Sequence, residues 1–134
     1  MNKIEHIGIA VKNLEEAIPT YEVLLNTKCY KIEEVQSEGV KTAFFKIGDS
    51  KIELLEATNP NSPIAKFIEK RGMGMHHIAF DVDDIQLEIE RLLKEGYHLI
   101  QQSPKNGADN KLIAFLHPKS TKGVLVELCQ ERGE

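Results

Sequence analysis

The chain has no tryptophan, few aromatic residues and two cysteines among its 134 residues. Cys29 and Cys129 stand far apart and neither belongs to a CxxC pair, which excludes a disulfide-stapled framework and a thiolate metal site. No apolar run approaches the ~20 residues that a membrane-spanning helix needs. No basic leader with an apolar core precedes the first strand-like pattern, so the expected compartment is the cytoplasm, with no membrane partner. The net charge of -4 comes without any cluster of excess Lys and Arg, so a nucleic-acid partner is not expected either.

What is present reads as one soluble domain. The length suffices for a single well-buried core and falls short of two ordinary domains. Laid on itself, the chain shows an internal repeat. His6-Ile7-Gly8-Ile9-Ala10-Val11 lies over His77-Ile78-Ala79-Phe80-Asp81-Val82, and both stretches alternate as half-buried strands do. A helical pattern follows each: Asn13 as cap with Leu14, Ala17, Ile18, Tyr21, Leu24 and Leu25, then Asp83 or Asp84 as cap with Ile85, Ile89, Leu92 and Leu93. Strands are expected over residues 29–35, 40–47 and 50–56 in the first half, with Gly48-Asp49 as a hairpin turn. In the second half they are expected over 98–101, 111–117 and 124–130, with turns at 103–107 and 118–123.

The predicted fold is therefore α+β: two tandem βαβββ modules, residues 1–58 and 75–134, forming a curved eight-stranded sheet around a metal-binding cleft. Residues 59–74 link them and carry a short helix over 62–71. One such module alone would have exposed edges and a marginal core, which pairing relieves.

Strand parity puts His6, Gly8 and Ala10 on one face and Ile7, Ile9 and Val11 on the other, and the second copy repeats this with His77, Ala79 and Asp81. The residue two after each His is small, leaving room for a metal or substrate. The last strands match as well: Glu53 sits within Lys51-Ile52-Glu53-Leu54-Leu55, and Glu127 within Leu125-Val126-Glu127-Leu128-Cys129. A carboxylate buried in an apolar strand is costly unless paired or coordinated. Two imidazoles and two carboxylates make a mixed N/O set suited to one divalent metal ion such as Zn, Co, Ni, Mn, Mg or Fe(II). His76, on the opposite face from His77, and the unrepeated His98 and His117 are read as structural.

The stretches Met75 to Ile85, Phe115 to Leu128 and Ser62 to Phe67 resemble the vicinal oxygen chelate superfamily and, within it, the methylmalonyl-CoA epimerase family. The resemblance spans nearly the whole chain and is most specific at His117-Pro118-Lys119-Ser120 with Lys122-Gly123-Val124-Leu125-Val126-Glu127-Leu128. It implies metal ligands at His6, Glu53, His77 and Glu127, an acyl-CoA substrate, and a 1,1-proton transfer through an enolate with Glu127 as one base. The position at which some relatives carry a second Glu base holds Thr42; Glu38 and Lys41 lie nearby, and the second base is left unassigned. Lys119 and Lys122 are candidates for coenzyme A phosphates or the malonyl carboxylate. Exposed sheet edges make a homodimer the expected assembly. The rival readings are a glyoxalase I-type lactoylglutathione lyase, disfavoured because Ala10 stands where those enzymes often carry Arg, and a non-catalytic small-molecule binder of the same fold.

Overall fold

A computed structural model describes residues 1–101 and 103–132. The chain divides into two compact units, His6–His76 and a second built from His77–Glu134 together with Met1–Glu5. The boundaries fall inside β1 (Lys3–Ala10) and β5 (Gly74–Asp81). The first residues belong to the second unit because Asn2 ties them there: its backbone N–H donates to the Asp81 carbonyl at 2.8 Å, and its side-chain amide donates to the Asp81 and Asp83 carboxylates at 2.9 Å each.

In the first unit β1 is followed by α1 (Leu14–Leu25), β2 (Lys31–Val35), β3 (Val40–Ile47), β4 (Ser50–Ala57) and α2 (Pro63–Arg71). The Asn13 side chain accepts from the Glu16 N–H and starts α1, with Glu15 and Glu16 complementing the helix dipole. Asn26, at φ 53°, ends it. Ser62 caps α2 by accepting from the Ala65 N–H, and Pro63 follows at the position where a missing N–H costs nothing. The strands run β2-β3-β4-β1, antiparallel except for the parallel β1–β4 pair. Ile9, Ala17, Ile18 and Tyr21 pack with Val11, Leu14, Phe45 and Leu54 on the α1 side of this sheet. On the other face α2 lays Ile64 against Ala10 and Leu55.

The second unit repeats the plan with β5, α3 (Ile85–Lys94), β6 (Lys105–Gly107), β7 (Lys111–Leu116) and β8 (Val126–Glu131), in the order β5-β8-β7-β6 with a parallel β5–β8 pair. Asp84 caps α3, and Ile85, Ile89 and Leu92 form its buried stripe against Leu116, Val126 and Leu128. The expected α+β pattern of two βαβββ modules is thus what the chain forms.

Several expectations shift. The sixth strand lies at Lys105–Gly107, inside the stretch read as a turn, while residues 98–101 contribute only an isolated bridge from Leu99 to Leu116. The short strand is possible because Gly107 carries no side chain: a Cβ there would meet the Ile113 side chain at 2.7 Å. Leu24 and Leu93 are exposed, since the helices turn narrower stripes inward than their full apolar complement. The second strand begins at Lys31 and the last at Val126, two residues later than expected in each case.

Candidate metal centre

Each unit brings one imidazole against one carboxylate, and in each the register explains how. In the first, the parallel β1–β4 pairing sets Gly8 beside Glu53. With no side chain on Gly8, the carboxylate can lean toward the neighbouring His6, and His6 Nδ1 lies 3.2 Å from Glu53 Oε2. In the second, β5 and β8 set Ala79 beside Glu127, and His77 Nε2 lies 3.0 Å from Glu127 Oε1. The small residue two after each His is therefore the floor under the Glu. All four side chains are buried, between 4% and 8% exposed.

Burying these groups needs a compensating partner. Two donors held about 2.1 Å from one cation, at angles between octahedral and tetrahedral, lie roughly 3.0–3.4 Å apart. Both His–Glu separations match that span, so each pair fits as half of a divalent-metal ligand set. The ions such a set suits are those taking mixed nitrogen and oxygen donors.

A second repeated feature was missed in the sequence. Phe44 faces Glu53 across β3–β4, and Phe115 faces Glu127 across β7–β8. Phe115 stacks edge-on to His77 with ring centroids 5.6 Å apart, fixing the imidazole plane. Phe44 carries the Lys31 ammonium 4.6 Å above its ring. The two phenylalanines stand in the same relation to each other as His6 and His77, so the repeat offset could have found them.

The remaining candidates take different places. Thr42 is buried on the same face of its sheet as Glu53, one row along from Phe44. Its neighbour Lys41 points the other way and is exposed, and Glu38 sits in a short 3-10 turn, so neither joins the site face. Lys119 and Lys122 are exposed in the turn before β8, where Lys122 adopts φ 60°. His117 accepts from the Lys119 N–H and caps that turn, His98 is exposed, and His76 packs edge-on against Phe67. Two polar neighbours went unread: the Cys129 thiol donates to Glu127 Oε2 at 2.9 Å, and Lys111 is buried beside Glu5 at 3.7 Å. A hollow of about 470 Å³ lined by Ile9, Val11, Asn13, Ala17 and Met73 lies along α1, on the face of β1 opposite His6, away from this chemistry.

The pattern of the glyoxalase/bleomycin resistance protein/dioxygenase superfamily matches residues 5–115. The mitochondrial methylmalonyl-CoA epimerase of Dictyostelium discoideum is 40% identical over 129 residues, covering 96% of this chain and 78% of that protein. The chain belongs to the methylmalonyl-CoA epimerase family. The ethylmalonyl-CoA/methylmalonyl-CoA epimerase of Cereibacter sphaeroides is 38% identical over 132 residues, covering 97% of this chain and 98% of the other. Among solved structures, a single-substitution variant of the Streptomyces coelicolor methylmalonyl-CoA epimerase, in complex with 2-nitronate-propionyl-CoA, superposes with a TM-score of 0.95. It is 32% identical and the match covers 99% of this chain and 96% of that one. The family's fold therefore extends over essentially the whole chain.

Proposed function

We propose that the protein is a methylmalonyl-CoA epimerase, an isomerase that interconverts the (2R) and (2S) epimers by moving a proton at C2. The observation that carries this reading is the pair of buried His–Glu contacts at equivalent strand positions, in a chain similar over its full length to enzymes of that name. In this proposal His6, Glu53, His77 and Glu127 hold one divalent metal ion, which when bound supplies the Lewis acidity that makes an enolate accessible.

The chain's own groups do the rest. Glu127 is the base that takes the C2 proton, and the thiol of Cys129 holds one of its oxygens while the other faces His77. A positioned base of this kind contributes roughly 10²–10⁴-fold. The Phe44 and Phe115 rings flank the carboxylates and keep water from their sides. Lys119 and Lys122, exposed in one turn, suit the coenzyme A phosphates. The lactoylglutathione lyase reading loses its anchor, because Ala10 is fully buried against Leu55 and Ile64, where an arginine would not fit.

The same proposal has the protein working in the cytoplasm as a homodimer. No helix among the described residues is long and apolar enough to cross a membrane. Neither cysteine forms a disulfide, as a reducing compartment leaves them. The marginal strand β2 exposes Ile32, the kind of edge a second copy covers. The deciding experiment incubates metal-loaded protein with methylmalonyl-CoA in deuterated water and follows C2. Deuterium uptake with inversion is expected, and must fall to background after chelation. Uptake no greater than in a metal-stripped control would end the epimerase reading.

A further inference from the structure

Inversion at carbon needs a proton-transfer group on each face of the planar intermediate, and Glu127 supplies one. Thr42, where some relatives carry a carboxylate, has a hydroxyl that is no base at neutral pH. Among the described residues, the buried carboxylates, imidazoles and ammonium groups are Glu5, His6, Glu53, His77, Lys111 and Glu127. Four of these form the two His–Glu pairs. The other two, Glu5 and Lys111, are 2% and 7% exposed and lie 3.7 Å apart, in the same unit as Glu127. A lysine so enclosed is uncommon unless paired.

Its direction is set by the strands. Across β7 and β8, Phe115 pairs with Glu127, Ile113 with Cys129 and Lys111 with Glu131. Alternation puts the side chains of Lys111, Ile113 and Phe115 on the face that carries Glu127 and Cys129. The Lys111 row and the Glu127 row are four residues apart, about 13 Å along the strands. The two rows are linked by Glu5, which holds the Lys111 ammonium and has a carboxylate oxygen within 4.8 Å of the Cys129 thiol that donates to Glu127. The contacts of Lys111 also suit a group that must act. At 3.7 Å from Glu5 and 3.8 Å from Glu131, its ammonium is attracted by both carboxylates but is beyond direct hydrogen-bond distance of either.

We propose that Lys111 is the second proton-transfer residue, working on the C2 face opposite Glu127, with Glu5 as the counter-charge that positions it. This rests on the epimerase reading. In one direction the Glu127 carboxylate takes the C2 proton and the C–H electron pair becomes the enolate. That pair then forms a new C–H bond with a proton given from the other face by the Lys111 ammonium, leaving an amine. Glu127 returns its proton to solvent and Lys111 takes one up, so no net proton is consumed. In the other direction the amine removes the proton and protonated Glu127 delivers it.

The test follows C2 deuterium uptake from each epimer separately, with calorimetric titration of the metal in parallel. Lys111→Met is expected to lower epimerisation by roughly 10²–10⁴-fold. Exchange should survive from one epimer and vanish from the other, with metal affinity within about twofold of the parent, since Lys111 is not a ligand. Lys111→Arg restores the charge but not a proton that can be given up, so inversion should remain lost. If removing the Lys111 charge from beside Glu5 unfolds the single variant, Glu5→Gln/Lys111→Met removes both charges and should show the same one-sided exchange. Exchange from both epimers in Lys111→Met or in the double variant, or inversion regained in Lys111→Arg, would overturn the assignment. Parent protein that exchanges neither epimer defeats the underlying epimerase reading instead.

Discussion

The two modules share a scaffold and differ in what covers its site face. In the first, the strip beyond His6 and Glu53 is apolar: Ala10 and Leu55 lie under Ile64 of α2, with Phe67 and Ile68 beside it. In the second, no helix covers the corresponding strip among the described residues. It holds Ala79, Ile113 and Cys129, with the buried Lys111 and Glu5 pair at its end. The His–Glu pairs are nearly the same in both, down to the small residue beside each carboxylate. In the proposed function, repetition supplies the metal-holding pairs and departure from repetition supplies the proton-transfer groups.

The largest test of that division compares Glu53→Gln with Glu127→Gln. Both should weaken metal binding, but at saturating metal only Glu127→Gln should lose C2 exchange by about 10³-fold from the epimer whose proton Glu127 takes, as expected for a missing base. Equal losses in the two variants would mean that Glu127 is a ligand alone. Next in size, Ile64→Ala and Ile89→Ala should each cost about 2–4 kcal/mol in urea unfolding. Only Ile64→Ala, which opens the apolar cover, should also reduce metal affinity; if Ile89→Ala does so equally, the cover has no special tie to the site.

The equivalence of the ligand pairs is sharpened by filling their floors. Gly8→Val and Ala79→Val should each lower metal affinity about 10–100-fold by calorimetry, the range seen when the support of a ligand is lost. A loss confined to one module would break the symmetry. The smallest effect is expected at the helix starts, where Asn13→Ala and Asp84→Ala should each lower thermal stability by about 1 kcal/mol without touching metal binding.

Much of this was readable from residues. Strand alternation, the repeated His, the small residue after next and the carboxylate in an apolar strand are local patterns, and the fold places all of them as parity predicts. What was not readable depends on partners remote in sequence. Lys111 and Glu5 each look like the solvent face of a strand until 106 positions of chain bring them together. Cys129 reads as a small core residue until its thiol is seen against Glu127. The strand at Lys105–Gly107 was hidden because its residues have turn propensity, and pairing with β7 overrides it. Leu24 and Leu93 fit the helical period but fall outside the arc that each sheet covers.

The parallel pairing of first and last strands within each module also orders events during synthesis. His6 waits for Glu53 until β4 has been made and has threaded beside β1, and His77 waits in the same way for Glu127 and β8. Such long loops close slowly compared with local turns. A nascent chain therefore acquires its first imidazole–carboxylate pair well before its second. If the proposed four-residue ligand set is right, uptake of the ion would come late, after both loops have closed in register.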